Sequence, residues 1–240
     1  MKNSFSVDTC KYNFASDNIN IFVMVYDIST SMEDDRTSMR KANKAFYDDF
    51  LSFEERGSIS IAKAEFNENF AMGSFDEVKN FNVSYDPDGN TALYEAIARA
   101  GNNTIEYYKE IVKRLNVRPR ITFLVFSDGD DNCSESYMTY ARAAVKELNS
   151  VDATTVFVAF RDAIYQETGA SLGFTCTKNI RNVNELVSCM GTELSKSCKE
   201  QSKSAYSLKS EFFSKAEKNS AEDNVKEQAI FDDGFFDDVL

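Results

Sequence analysis

Apolar residues fall along this chain in short runs, separated by stretches where they return every three or four positions. Three runs are apolar on both faces and rich in β-branched and aromatic residues. They are Ile19 to Tyr26, ending at Asp27; Ile121 to Phe126, ending at Ser127-Asp128-Gly129; and Thr154 to Phe160. That pattern predicts central parallel strands buried on both sides. Ile59 to Phe66 alternates more, as a strand nearer an edge does. The stretch from Phe70 to Val83 is expected to supply an antiparallel hairpin partner, and Gly173 to Cys176 a weak last strand.

Between these runs the period changes to that of a helix. Met39, Ala42, Phe46, Phe50 and Phe53 share one face, as do Leu93, Ala96, Ile97 and Ala100. A helical pattern continues at Ile105, Tyr108, Val112 and Leu115 after Gly101-Asn102-Asn103. Tyr137, Ala141, Ala144 and Leu148 form another stripe, and Leu186, Met190 and Leu194 a last one. Strands alternating with helices predict an α/β fold: a doubly wound, mostly parallel sheet with one antiparallel edge strand and helices on both faces. We expect this domain to cover residues 18–201, after an extension over 1–17. A charged helical segment and an acidic-aromatic tail follow over 202–240.

Composition narrows the chemistry. The 240 residues contain 27 Lys plus Arg, 39 Asp plus Glu and no His, a net charge of 27 − 39 = −12. Without His there is no Ser-His-Asp or Cys-His catalysis and no His-ligated zinc. The acidic balance argues against a nucleic-acid binder, which needs a basic face. Hard cations remain open, because they prefer oxygen ligands. Five cysteines (Cys10, Cys133, Cys176, Cys189, Cys198), irregularly spaced and without C-x-x-C, predict free thiols in a reducing compartment. No apolar run approaches the roughly 20 residues of a membrane span. The first residues lack the apolar stretch of a secretion signal. The expected location is therefore the cytoplasm, away from membranes.

Three polar clusters fall at the carboxyl ends of predicted strands or just before a helix. They are Asp27-Ile28-Ser29-Thr30-Ser31, Asp88-Gly89-Asn90-Thr91 and Ser127-Asp128-Gly129-Asp130. A doubly wound sheet gathers such loops at one edge, where ligands bind. Together they offer the hydroxyls of Ser29, Ser31 and Thr91 and the carboxylates of Asp27 and Asp128. This oxygen-only set suits Mg²⁺, with Mn²⁺ or Ca²⁺ as alternatives. Hydroxyl ligands leave the charge of a metal poorly neutralised. An ion held this way stays electrophilic enough to take a carboxylate from a partner.

Asp27-x-Ser29-x-Ser31, a lone Thr91 before a helix and Asp128-Gly129 after a strand resemble the metal-ion-dependent adhesion site of von Willebrand factor type A domains. The resemblance covers roughly Asn18 to Gln201. It implies that Ser29, Ser31 and, in one state, Thr91 touch the ion, and that Asp27 and Asp128 act directly or through water. It also implies a protein ligand whose Asp or Glu carboxylate completes the octahedron. Bacterial and phage members of that family often serve multiprotein assemblies, including complexes with AAA+ ATPases. Thr30 stands where many members have Gly.

The predicted function is thus a non-catalytic protein-binding module or adaptor. The alternatives are a metal-dependent phosphoester hydrolase at the same edge and a structural subunit of a larger particle. Asp130 and Asp131, beside the site, are candidates for partner contact through their negative potential. The segment from Glu222 to Leu240 carries seven acids and one lysine. Its Phe231, Phe235, Phe236 and Leu240 are candidate anchors in a partner's groove.

Overall fold

The computed structural model describes residues 19–52, 59–129, 131–160, 164–181, 185, 189–203 and 209–212. The strands are β1 (Asn20–Asp27), β2 (Ile59–Phe66), β3 (Phe70–Met72), β4 (Asp76–Glu77), β5 (Arg120–Ser127), β6 (Thr154–Phe160) and β7 (Cys176–Ile180). The helices are α1 (Arg36–Leu51), α2 (Leu93–Leu115), α3 (Met138–Ser150), α4 (Ile164–Leu172) and α5 (Ser195–Lys203). A 3₁₀ turn over Thr30–Asp35 leads into α1, and a π-helical turn over Cys189–Leu194 leads into α5.

One seven-stranded sheet runs in the order β3-β2-β1-β5-β6-β7, with β4 also on β2. The pairs β1–β2, β1–β5, β5–β6 and β6–β7 are parallel, whereas β3 and β4 meet β2 antiparallel. This is the predicted mostly parallel α/β sheet with an antiparallel edge. That edge is built from two short pieces rather than one strand. Every residue of β1 and β6 is buried, which is why both read as apolar on each face.

Alternate residues of the central strands feed two cores. On one face Phe22, Met24, Tyr26, Leu124 and Phe126 pack with Met39, Phe46 and Phe50 of α1, with Leu194 and with Cys198 of α5. On the other, Ile21, Val23, Val25, Phe123 and Val125 pack with α2, α3 and Leu172 of α4. Phe50 illustrates the scale. It is fully buried, its ring lies edge-on to Phe22 at 5.5 Å and stacked on Phe46 at 4.9 Å, and such burial is worth about 2–3 kcal/mol.

Several expectations need correction. The last strand is Cys176–Ile180, not Gly173 to Cys176. Gly173 sits at φ 90 in the turn that ends α4, and pairing to β6 rather than hydrophobicity makes Cys-Thr-Lys-Asn-Ile a strand. The sequence pattern does not show helix α4, because Thr168, Gly169 and Ser171 interrupt it. Tyr137 is exposed rather than part of the α3 stripe, because it belongs to a turn before the helix; Val145 takes the buried place. Helix α2 runs unbroken through Gly101, where a Cβ would come within 2.9 Å of the Ala144 Cβ. That glycine lets α2 and α3 approach; it does not end a helix. Phe53 and Leu186 lie outside the described residues. Packing continues beyond Gln201: Phe212 is fully buried in the first core.

Candidate metal site

From β1 the chain turns one way, through α1 to β2. From β5 it turns the other way, through α3 to β6. The crevice at the carboxyl end of the β1–β5 pair is therefore where connections diverge, the place such sheets reserve for ligands. Register sets Tyr26 opposite Phe126, so Asp27 and Ser127 leave the sheet side by side.

All five sequence-predicted residues come to this crevice. Asp27, Ser29, Thr91 and Asp128 are buried, and Ser31 is exposed at the mouth. Ser29, Ser31 and Thr91 line one cavity of about 360 Å³ together with Thr30, Asp88, Gly89, Asn90 and Asn132. The Ser29 and Ser31 hydroxyls are 3.0 Å apart. The two carboxylates are set back from that lining. Asp27 accepts the Ser29 N–H at 2.9 Å on one oxygen and the Ser127 hydroxyl at 2.6 Å on the other. Ser127 in turn accepts the Gly129 N–H at 3.0 Å. This chain of bonds ties the ends of β1 and β5 together.

The loops are stitched by backbone bonds. Thr30 N–H donates to Gly89 O at 3.0 Å, and Asp88 N–H to Ile28 O at 2.7 Å. Asn67 donates its side-chain amide to Asp88 O at 2.9 Å and accepts the Ala92 N–H on its own carbonyl at 2.9 Å. Glu68 accepts the Asn90 N–H at 2.7 Å. Below them the Tyr85 hydroxyl donates to the Asp27 carbonyl at 2.5 Å. Burial, then the Asp27 charge, pushes the Tyr85 pKa well up, so it stays a donor.

Helix α2 has no side-chain cap of its own. Its orphan N–H groups are met from across the crevice: Tyr94 N–H by Asp131, at 3.3 Å, and Glu95 N–H by the Ser134 hydroxyl, at 3.1 Å. Asp131 also accepts the Ser134 N–H at 3.0 Å and the Ser134 hydroxyl. Its carboxylate is thus engaged in holding this turn. Asp130 and the tail residues Phe231, Phe235, Phe236 and Leu240 lie outside the described residues. Among the other flanking acids, Asp86 is paired to Arg36 at 2.5 Å and to Arg40, so its charge is answered locally.

Two carboxylates buried this closely are costly without a cation. Burial pushes the Asp27 carboxyl up to about 7; bonds from Ser127 and Ser29 oppose that rise, and the Asp128 charge adds to it. The Asp128 Oδ1 is buried with no hydrogen-bond partner among the described residues. Such an orphan acceptor demands an explanation, and a cation supplies one. No three Asp, Glu or Cys side chains among the described residues cluster closely enough to hold a metal by themselves. Any ion here relies on hydroxyls as well as the two Asp residues, and the donor set is oxygen throughout. The residues present therefore fit a hard divalent ion.

Sequence reading missed Asn132, Asn67 and Glu68. Asn132 donates its N–H to Thr91 O at 3.0 Å and accepts the Thr91 N–H on Oδ1 at 2.9 Å. Only its place four residues after Asp128 could have marked it.

No protein-family model matches the sequence, and no curated protein matches it. Solved structures do. The pilus adhesin SpaC of Lactobacillus rhamnosus GG, in its open conformation, aligns with TM-score 0.61 and 9% identity, over 77% of this chain and 30% of that one. Proximal thread matrix protein 1 from the mussel byssus, with a zinc-occupied MIDAS (metal-ion-dependent adhesion site) motif, aligns with TM-score 0.51 and 11% identity, over 72% and 46%. Manganese-loaded TRAP protein of Plasmodium vivax aligns with TM-score 0.50 and 13% identity, over 72% of each chain. The chain thus spans less than a third of the adhesin it matches. At these identities the likeness shows the fold, which is of the von Willebrand factor type A, Rossmann-like α/β kind.

Proposed function

We propose that the chain is a metal-dependent protein-binding module. Ser29, Ser31 and Thr91 would hold a divalent ion, Mg²⁺ by our assignment, while Asp27 and Asp128 hold it directly or through water. When bound, the ion supplies an electrophilic position for the Asp or Glu carboxylate of a protein partner, such as a subunit of a multiprotein assembly. The observation that carries this reading is the buried Asp128 oxygen, unpartnered among the described residues, beside a second buried carboxylate and next to a cavity lined in part by Ser29, Ser31 and Thr91. Manganese in TRAP and zinc in the mussel protein support the choice of a divalent ion.

The chain's own residues do the rest. The Ser29 N–H and Ser127 hydroxyl orient Asp27, and the stitched loops keep Ser29, Ser31 and Thr91 in the lining of one cavity. Both Asp27 oxygens accept hydrogen bonds, which disfavours Asp27 as an attacking nucleophile. Among the described residues four cysteines are free thiols, two of them buried; this supports a reducing compartment, and we place the module in the cytoplasm. Among the described residues no helix is long and apolar enough to cross a membrane.

The test is calorimetric titration of Mn²⁺ and Mg²⁺ into wild type and a Ser29→Ala/Ser31→Ala variant, with affinity capture in the presence and absence of EDTA. We expect one saturable site, weakened about tenfold or more in the variant, and partners that leave in EDTA. A wild type that takes up neither ion, or a capture unchanged by EDTA, would sink the proposal.

A further inference from the structure

We infer that Asn132 is a two-ended residue of this site: its carbonyl end positions Thr91, and its amide NH₂ end receives the partner's carboxylate. The inference rests on the metal reading above and adds the residue that recognises the ligand.

Thr91 has its backbone held on both sides by one residue. Its N–H donates to Asn132 Oδ1 at 2.9 Å, and its carbonyl accepts the Asn132 N–H at 3.0 Å. This reciprocal pair fixes Thr91 against the loop that follows Asp128, and so couples a proposed ligand hydroxyl to a proposed ligand carboxylate. It also settles the amide orientation. A backbone N–H needs an acceptor, so the oxygen must face Thr91 and the nitrogen must face away. Asn132 is exposed and lines the same cavity as Ser29, Ser31 and Thr91. The end left for a ligand in that cavity is therefore a two-proton donor. A carboxylate bound to an ion through one oxygen has a second oxygen to satisfy, and an amide donor without charge does so without competing for the ion. The other exposed neighbours that share the cavity, Thr30, Asp88 and Asn90, offer a hydroxyl, an acid and an amide. None of them is bonded to Thr91 in this reciprocal way.

Two variants separate the two ends. Asn132→Asp keeps an acceptor for Thr91 and removes the donor; Asn132→Ala removes both. Three measurements apply: amide hydrogen exchange at Thr91 without metal, Mn²⁺ affinity by calorimetry, and relaxation of acetate methyl protons by protein-bound Mn²⁺ at full occupancy. In Asn132→Ala we expect faster Thr91 exchange, Mn²⁺ affinity down about threefold or more, and acetate affinity down about tenfold. In Asn132→Asp we expect wild-type Thr91 protection, Mn²⁺ bound at least as tightly, and acetate affinity lost at least as far. The inference is overturned if Asn132→Ala at full Mn²⁺ occupancy relaxes acetate as wild type does, or if its Thr91 exchange is unchanged. A wild type that binds no Mn²⁺ overturns the metal reading itself and this inference with it, so the two failures are told apart by the wild-type titration.

Discussion

Gly89→Ala tests the loop that carries Thr91. Gly89 sits at φ 83, in the left-handed region, and its carbonyl accepts the Thr30 N–H at 3.0 Å. A Cβ built there would lie 2.0 Å from Glu68 Oε2, the oxygen that accepts the Asn90 N–H at 2.7 Å. The substitution therefore has two costs. Holding an alanine at positive φ costs about 1 kcal/mol. Displacing Glu68 gives up a solvent-exposed bond worth about 1 kcal/mol. The sum is about 2 kcal/mol, or roughly 4–8 °C in Tm for a domain of this size. A double-mutant cycle resolves the parts by urea unfolding. In a Glu68→Ala background the second cost is already gone, so Gly89→Ala should cost only about 1 kcal/mol there. Gly73→Ala is the control. It has no positive φ and an ordinary 3.6 Å contact to Lys63 O, so stability should change by less than about 0.5 kcal/mol. Equal costs in both backgrounds would refute the Glu68 clash. A cost below about 0.5 kcal/mol in both would refute the backbone argument as well.

Three further outcomes are expected. Asp128→Asn removes one of two buried like charges, so metal-free Tm should rise while added Mn²⁺ no longer raises it; thermal melts with and without Mn²⁺ check both, and a metal-free Tm that falls counts against the unpaired-charge reading. Gly169→Ala gains helix propensity but drives a Cβ to 2.6 Å from the Phe157 Cβ; overpacking should win and destabilise by about 1–3 kcal/mol, measured by denaturant titration, and a stabilised variant would contradict the packing of α4 on β6. Asp49 is opposed by burial, but bonds from Lys199 and Ser195 and the charges of Lys199 and Lys196 outweigh it and hold its pKa below the usual carboxylate value. Its contribution is present above the unfolded pKa near 4 and is lost as pH falls through the lower folded value. The Tm gap between wild type and Asp49→Asn should therefore close on acidification below about pH 4, and a gap that widens there would reverse the sign.

The central strands were legible because burial on both faces selects mostly apolar, β-branched residues, and β2 because its pattern alternates. Thr154 to Phe160 matches β6 residue for residue, and Ile59 to Phe66 matches β2. Elements stabilised by partners rather than by their own pattern were not legible. β7 is a polar segment made a strand by β6, and α4 packs Gly169 against Phe157 where a sequence shows only a helix breaker. The site followed the same division. Asp27, Ser29, Ser31, Thr91 and Asp128 announce themselves by type and by position at strand ends. Asn132 and Glu68 act through bonds to backbone N–H groups, and any acceptor-bearing residue in those loops would have looked equally plausible.

The bonds that assemble the site span long stretches of chain. Thr91 and Asn132 are 41 residues apart, Asp27 and Tyr85 58, and Asp27 and Ser127 100. Closing such separations is entropically late work during folding. A nucleus formed from nearer contacts can precede them, and we predict that these bonds form on the native side of the barrier. A ligand that bridges the three loops then acts on how slowly the domain opens, not on how fast it first collapses. The crevice at the strand ends would act as a latch on a finished fold, and its resistance to protease or mechanical pull would track occupancy even where the refolding rate does not change.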